Sequence, residues 1–201
     1  MQSTLILANP NNPDGHVTST GTMHDLIAGR DGWLLVDEAF ADCDPALSIA
    51  EMVGDDQRLV VFRSFGKFFG LAGVRLGFVL APQDIVAALR ERLGAWPLSA
   101  AAMAIGTAAY ADRDWIAATR RRLPRAAAAL DAVLVRRGHR PVGACPLFRL
   151  IERPDAHARF EQLARCAILT RPFADQPHWL RIGLPADAAA LARLETALAD
   201  G

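Results

Sequence analysis

Lysine is nearly absent from this chain: of its 22 Lys and Arg residues, Lys67 alone is a lysine. Cysteine is scarce too. Cys43, Cys145 and Cys166 are odd in number and far apart, which excludes the close pairing that metal sites need and reads as free thiols in a reducing cytosol. There is no excess of either charge, with 22 acids against 22 bases, so nothing points to nucleic acid or an acidic membrane surface as partner. The arginine run at 120–125, RRRLPR, has no aromatics interleaved with it and reads as a solvated helix face. No apolar run reaches the ~18 residues of a membrane span, and the opening MQSTLILANP lacks a basic, then long apolar, leader. A soluble, cytoplasmic protein without membrane contact is expected. What is present is a globular composition: 201 residues at 52% hydrophobic suffice for one large or two small domains.

The lone lysine lies in FRSFGKFFGLAGVRLGF, residues 62–78. An Ala- and Arg-rich composition can keep one lysine by accident. The neighbours argue otherwise, because Phe65, Phe68, Phe69 and Leu71 are expected to bury its stem, and a buried ammonium is costly unless paired. Lysine, unlike arginine, can lose its proton when desolvated and form a Schiff base. The question is whether the chain also supplies a site for a carbonyl cofactor.

Apolar runs bounded by turn residues at 4–8, 33–40, 58–62 and 75–81 predict strands, and helices are expected near 19–29, 46–53 and 83–94. Strands alternating with helices imply an α/β fold whose sheet is mostly parallel and covered on both faces. Ligands gather at the carboxyl ends of such strands, where residues 9–15, Asp37 and 64–67 fall. Beyond, 99–111 and 113–137 are helical in pattern with Pro124 as an expected kink. A strand at 147–152, a helix near 155–165, strands at AILT (167–170) and WLRIGL (179–184), and a last helix from about 186 make an α+β unit. The domain change is placed near 112, giving 1–111 and 112–201.

NPNNPDG (9–15) is by itself a turn-rich loop capping the next helix, yet Asn12 can also donate its amide to a ring oxygen. Asp37 ends an apolar strand, where a carboxylate wants a cationic partner such as a protonated pyridine nitrogen. Ser64 precedes the lysine and Arg75 follows it, in a stretch relaxed by Gly70 and Gly73. A hydroxyl and a guanidinium suit a phosphate dianion.

In that order NPNNPDG, LLVDEAFAD, SFGKFFGLAGVRLGF and WLRIGLP resemble the fold type I pyridoxal-phosphate enzymes of the class I/II aminotransferase superfamily. The resemblance implies part of a three-layer large domain at 1–111 and a small C-terminal α+β domain at 112–201. It also implies pyridoxal 5'-phosphate as cofactor, with Asn12 at its 3'-oxygen, Asp37 at its ring nitrogen, Ser64 and Arg75 at its phosphate and Lys67 as its Schiff-base lysine. Arg181 would bind the substrate α-carboxylate. No metal is implied. DEAFAD, RSFGKFFGLAG, PLFRL and ILTRPF look most like the threonine-phosphate decarboxylase branch of cobalamin biosynthesis, with histidinol-phosphate aminotransferases as the alternative. Both act on small phosphorylated amino compounds, so Arg171 is the implied second anion-binding residue. Arg149 reads equally as a substrate contact or a structural ion pair.

The chain departs from the family pattern where Phe40 replaces the usual tyrosine, leaving Asn12 alone at the 3'-oxygen. The resemblance further implies a preceding segment that supplies a phosphate-binding helix N-terminus, an aromatic ring on the pyridine and much of a homodimer contact. A truncated, inactive homologue is therefore the rival from another class.

Overall fold

Four apolar runs of the first half become β1 (Leu5–Ala8), β2 (Leu34–Asp37), β3 (Leu59–Ser64) and β4 (Gly77–Leu80). In the computed structural model, which describes residues 3–199, they form one sheet in the order β1-β2-β3-β4. β1, β2 and β3 run parallel, with Leu5 opposite Leu34 and Leu34 opposite Leu59, and β4 returns antiparallel with Ser64 opposite Gly77. The fold is mixed α/β with a mostly parallel sheet. The chain divides into two compact units: residues up to Asn11 with Val17–Ala118, and Asn12–His16 with Thr119 onward.

Because side chains alternate along a strand, Leu34, Val36, Leu59 and Val61 share one face of the first unit's sheet. They form a core with Met23 and Ile49. Met23 comes from α1 (Thr20–Ala28), which starts where Ser19 Oγ accepts the Thr22 N–H at 3.1 Å. The opposite face is differently placed: Ile6 is 71% exposed and Val79 40%. Val60, on the same face but on the inner strand β3, is 6% exposed.

The helix expected at 46–53 is instead two short 3-10 turns, Pro45–Leu47 and Ala50–Met52. Its backbone is claimed from outside, since the Ile49 N–H donates to Glu38 Oε1 at 2.7 Å and Ser48 Oγ to Glu38 Oε2 at 2.6 Å. α2 (Gln83–Leu93) follows Pro82, and α3 (Ala100–Ala111) begins at Ser99, whose Oγ accepts the Ala102 N–H. α4 (Arg113–Arg136) contains Pro124 and runs from the first unit into the second.

In the second unit β5 (Pro141–Val142), β6 (Phe148–Glu152), β7 (Arg171–Pro172) and β8 (Trp179–Gly183) make an antiparallel sheet in the order β5-β6-β8-β7. α5 (Ala156–Arg165) and α6 (Ala188–Ala199) pack on it with the end of α4, around Leu134, Ile151, Leu163, Leu180, Ile182 and Leu194. The strand expected at 167–170 does not form. The chain leaves α5 through Ala167 at a φ of 55°, a left-handed conformation that extended pairing cannot use, and pairing with β8 starts only at Arg171.

Candidate active site

Asp37 and Ser64 stand at the carboxyl ends of the adjacent parallel strands β2 and β3. Each has a charged neighbour on the other side of the sheet: Glu38 follows Asp37, and Arg63 precedes Ser64. Arg63 Nη1 donates to Glu38 Oε2 at 2.8 Å, and Nη2 is paired with Asp42. Glu38 is fully buried. Burial lowers the Arg63 pKa, but the two carboxylates more than offset this and hold it above the ordinary arginine value. The pair ties the two strand ends together beneath the residues they present. Nothing in the spacing singled out this network, although the two charges beside Asp37 and Ser64 at strand ends are its visible trace.

After Ser64 the chain turns sharply, and Ser64 Oγ accepts the Gly66 N–H at 3.3 Å. A Cβ on Gly66 would lie 3.1 Å from Ala72 Cα, so this turn packs directly on the 3-10 turn Ala72–Val74. Arg75 follows with a φ of 57°, and its Nη1 donates back to Ala72 O at 3.0 Å. Ser64, Lys67 and Arg75 therefore come from two mutually packed turns at one end of the sheet.

The expectation that phenylalanines bury Lys67 is not met. Phe65, Phe68 and Phe69 are buried among themselves, with Tyr110 and Trp115, while Lys67 is exposed. Residues in a tight turn point in different directions, and here the rings take the inward ones. Lys67 Nζ lies 5.6 Å from the centroid of the Phe40 ring, within cation–π range. Asp37 accepts the Ala39 N–H at 2.9 Å. Among the described residues, Asp37, Lys67 and Arg75 are in no ion pair: three charged groups at one sheet end have unspent electrostatic valence.

In the second unit Arg171 and Arg181 face each other across β7 and β8. Arg181 lies over the Phe148 ring at 5.1 Å and Arg171 over the Phe173 ring at 5.7 Å. Arg181 Nη1 also donates to Asn12 Oδ1. Burial and, next, the Arg171 charge push the Arg181 pKa down, and no carboxylate pairs with either arginine among the described residues. An anion between them would relieve that repulsion. Arg149 is different. Its Nε and Nη2 grip Asp131 at 2.6 and 2.9 Å, and Nη1 donates to the Cys145 and Phe148 carbonyls. With four of its five N–H donors taken inside the unit, it stands in a structural ion pair. No cluster of three or more metal-ligating side chains occurs among the described residues.

The family model for class I and II aminotransferases matches residues 2–198. The chain belongs to that family. Within it, the chain is 45% identical over 197 residues to the threonine-phosphate decarboxylase of Pseudomonas aeruginosa, spanning 96% of this chain and 59% of that protein. It is 33% identical over 184 residues to the histidinol-phosphate aminotransferase of Citrifermentans bemidjiense, spanning 90% of this chain and 52% of the relative. The fold matches the Sinorhizobium meliloti histidinol-phosphate aminotransferase, solved in complex with pyridoxal-5'-phosphate. There the TM-score is 0.85 at 24% identity, over 97% of this chain and 56% of that one.

Proposed function

We propose that the protein to which this chain belongs is a pyridoxal 5'-phosphate enzyme that decarboxylates L-threonine O-3-phosphate to aminopropanol phosphate, a step of cobalamin biosynthesis. The observation that carries the substrate is the Arg171–Arg181 pair, two arginines opposite each other in the β7–β8 register and in no ion pair among the described residues. Threonine phosphate brings two anions, histidinol phosphate only one. The greater identity to a threonine-phosphate decarboxylase supports the same reading.

The residues of the chain fit the cofactor. Asp37 has a carboxylate in no ion pair among the described residues, as a protonated ring nitrogen needs, Ser64 and Arg75 the hydroxyl and guanidinium for a phosphate, Asn12 an amide for the 3'-oxygen, and Lys67 an exposed amine for a carbonyl. When bound, the cofactor supplies an electrophilic carbonyl and an electron-accepting ring. The chain does the rest. Asp37 keeps a proton on the ring nitrogen by charge, Arg181 holds the substrate carboxylate, Arg171 the substrate phosphate, and Lys67 Nζ delivers or removes the proton at Cα. Which bond at Cα is held for cleavage depends on how the two arginines orient the substrate, and equal binding of ground state and transition state would not accelerate it.

The same reading makes 1–111 a partial cofactor-binding large domain and 112–201 the small domain, and the full-length protein a cytoplasmic homodimer. The dimer is supported by α3, which has no charged residue in its 12 positions, and by Trp96, which is 90% exposed just before it. A helix apolar all round is ordinarily covered.

The test is to give the full-length protein each substrate, measuring CO₂ and aminopropanol phosphate from threonine phosphate, and glutamate from 2-oxoglutarate with histidinol phosphate. CO₂ release is expected. Rapid glutamate formation without CO₂ would reassign the protein to the aminotransferases.

A further inference from the structure

Arg181 is in no ion pair among the described residues, and its guanidinium rests on two other contacts: the Phe148 ring at 5.1 Å and the Asn12 side-chain oxygen. These two partners sit at opposite ends of one turn. Phe148 opens β6 directly after it. Asn12 belongs to a short segment, Asn12–His16, that is grafted onto the second unit by the other end of the turn. There the Ala144 N–H donates to Gly15 O at 2.9 Å, and a Cβ on Gly15 would lie 3.0 Å from Gly143 Cα. Gly143 has a φ of 103° and leaves no room for a Cβ against Asp14 O, so the two backbones touch.

One side chain ties the ends of this turn together. Arg149 Nη1 donates to the Cys145 carbonyl at 2.6 Å and to the Phe148 carbonyl at 2.9 Å, while Nε and Nη2 are clamped by Asp131 of α4. In the β6–β8 register Leu150 is opposite Arg181 and Arg149 is opposite Ile182, so the two arginines lie on opposite faces of the sheet. Arg149 therefore cannot share a ligand with Arg181. Its own face is otherwise apolar, with Ile151, Leu180 and Ile182 in the core, and a buried ion pair is in general no more stabilising than well-packed apolar residues of similar volume. What an apolar side chain could not supply is the double grip on the turn.

We infer that Arg149, braced by Asp131, is the positioning residue for Arg181: by fixing the Cys145–Phe148 turn it sets where Phe148 and Asn12 stand, and through them the plane in which Arg181 presents its donors to a carboxylate. The inference rests on the proposed function in taking that carboxylate to be the substrate's. Its geometry does not depend on that reading.

The test is Arg149→Lys in the full-length protein, a change that keeps the charge beside Asp131 but loses the planar fork. With the protein labelled at arginine nitrogen and free of cofactor, the Arg181 Nε–H resonance, assigned by its loss in Arg181→Lys, should lose the ring shift that Phe148 imposes. In the cofactor-loaded protein, kcat/KM for threonine phosphate should fall at least about tenfold, as expected when a substrate-orienting group is misplaced. The inhibition constant of aminopropanol phosphate, which keeps the amine and phosphate but has no carboxylate, should not change. In an Arg181→Lys background, Arg149→Lys should add nothing, because the two act as one unit. An unmoved Arg181 resonance overturns the inference. So does equal weakening of both ligands, which would make Arg149 a purely structural residue. If Arg149→Lys does not fold, Arg149→Met takes its place with the same expectations, and failure of both to fold overturns the inference too. A wild-type protein that does not act on threonine phosphate would sink the proposed function and leave the Arg181 resonance to decide this inference.

Discussion

Glu38→Ala should destabilise the first unit far more than an ordinary truncation. The carboxylate is fully buried and accepts three donors: Ile49 N–H at 2.7 Å, Ser48 Oγ at 2.6 Å and Arg63 Nη1 at 2.8 Å. Removing it leaves a buried backbone N–H without its acceptor, at about 1–3 kcal/mol. It also strips Arg63 of one of its two carboxylates, and breaking a buried pair from one side costs about 3–5 kcal/mol. Asp42 remains on Nη2, so these overlapping costs should total about 3–5 kcal/mol rather than their sum. With a urea slope of about 2 kcal/mol/M, the unfolding midpoint should fall by roughly 2 M. Glu38→Gln keeps an acceptor for Ile49 and should lose about half as much. Because the pair ties down the ends of β2 and β3, cofactor retention by the full-length protein should fall in parallel in both variants. A midpoint shift below about 0.5 M for Glu38→Ala would refute the view that this ion pair anchors the strand ends.

The separate roles of Asp37 and Arg75 predict opposite kinetic patterns in the full-length protein. Asp37→Ala should lower turnover by the ~3 kcal/mol typical of lost electrostatic stabilisation while retaining cofactor, whereas Arg75→Ala should chiefly release cofactor on dialysis; the reverse pattern would exchange their roles. In the second unit, burial and then the charges of Arg153 and Arg159 push the His139 pKa below its ordinary 6.5, against a smaller opposing effect of Asp155. The folded state thus prefers neutral His139, so its contribution is intact above about pH 6.5 and is lost as the pH falls below that value. Thermal melts of the wild type and His139→Asn between pH 7.5 and 5 should converge toward the acid end, and parallel curves would contradict this.

β1, β2, β3, β4, β6 and β8 were legible because each is a short apolar run between turn residues, and residues 9–15, Asp37 and 64–67 because they lie where β1, β2 and β3 end. What failed depended on distant contacts. Residues 46–53 have an apolar pattern that suits a helix, but Glu38 takes the Ile49 N–H and the Ser48 hydroxyl from 11 and 10 residues away. AILT reads as a strand until Ala167 adopts a positive φ. Lys67 is exposed because its aromatic neighbours find each other, with Phe65 and Phe69 stacked at 4.3 Å, a choice of direction that composition does not encode. The opposition of Arg171 and Arg181 exists only once β7 and β8 are in register. Arg149 could be assigned to structure only when Asp131, on α4, came within 2.6 Å.

The central claim is that Lys67 is the residue that holds pyridoxal 5'-phosphate, and it is tested most directly by borohydride reduction of the cofactor-loaded protein followed by peptide mass mapping. Lys67 is the sole lysine of these 201 residues, so among their peptides a lysine adduct has one possible place. The account predicts the pyridoxyl mass on the peptide that contains Lys67, and its loss in Lys67→Arg. Label confined to other amines, or retained in that variant, would contradict it.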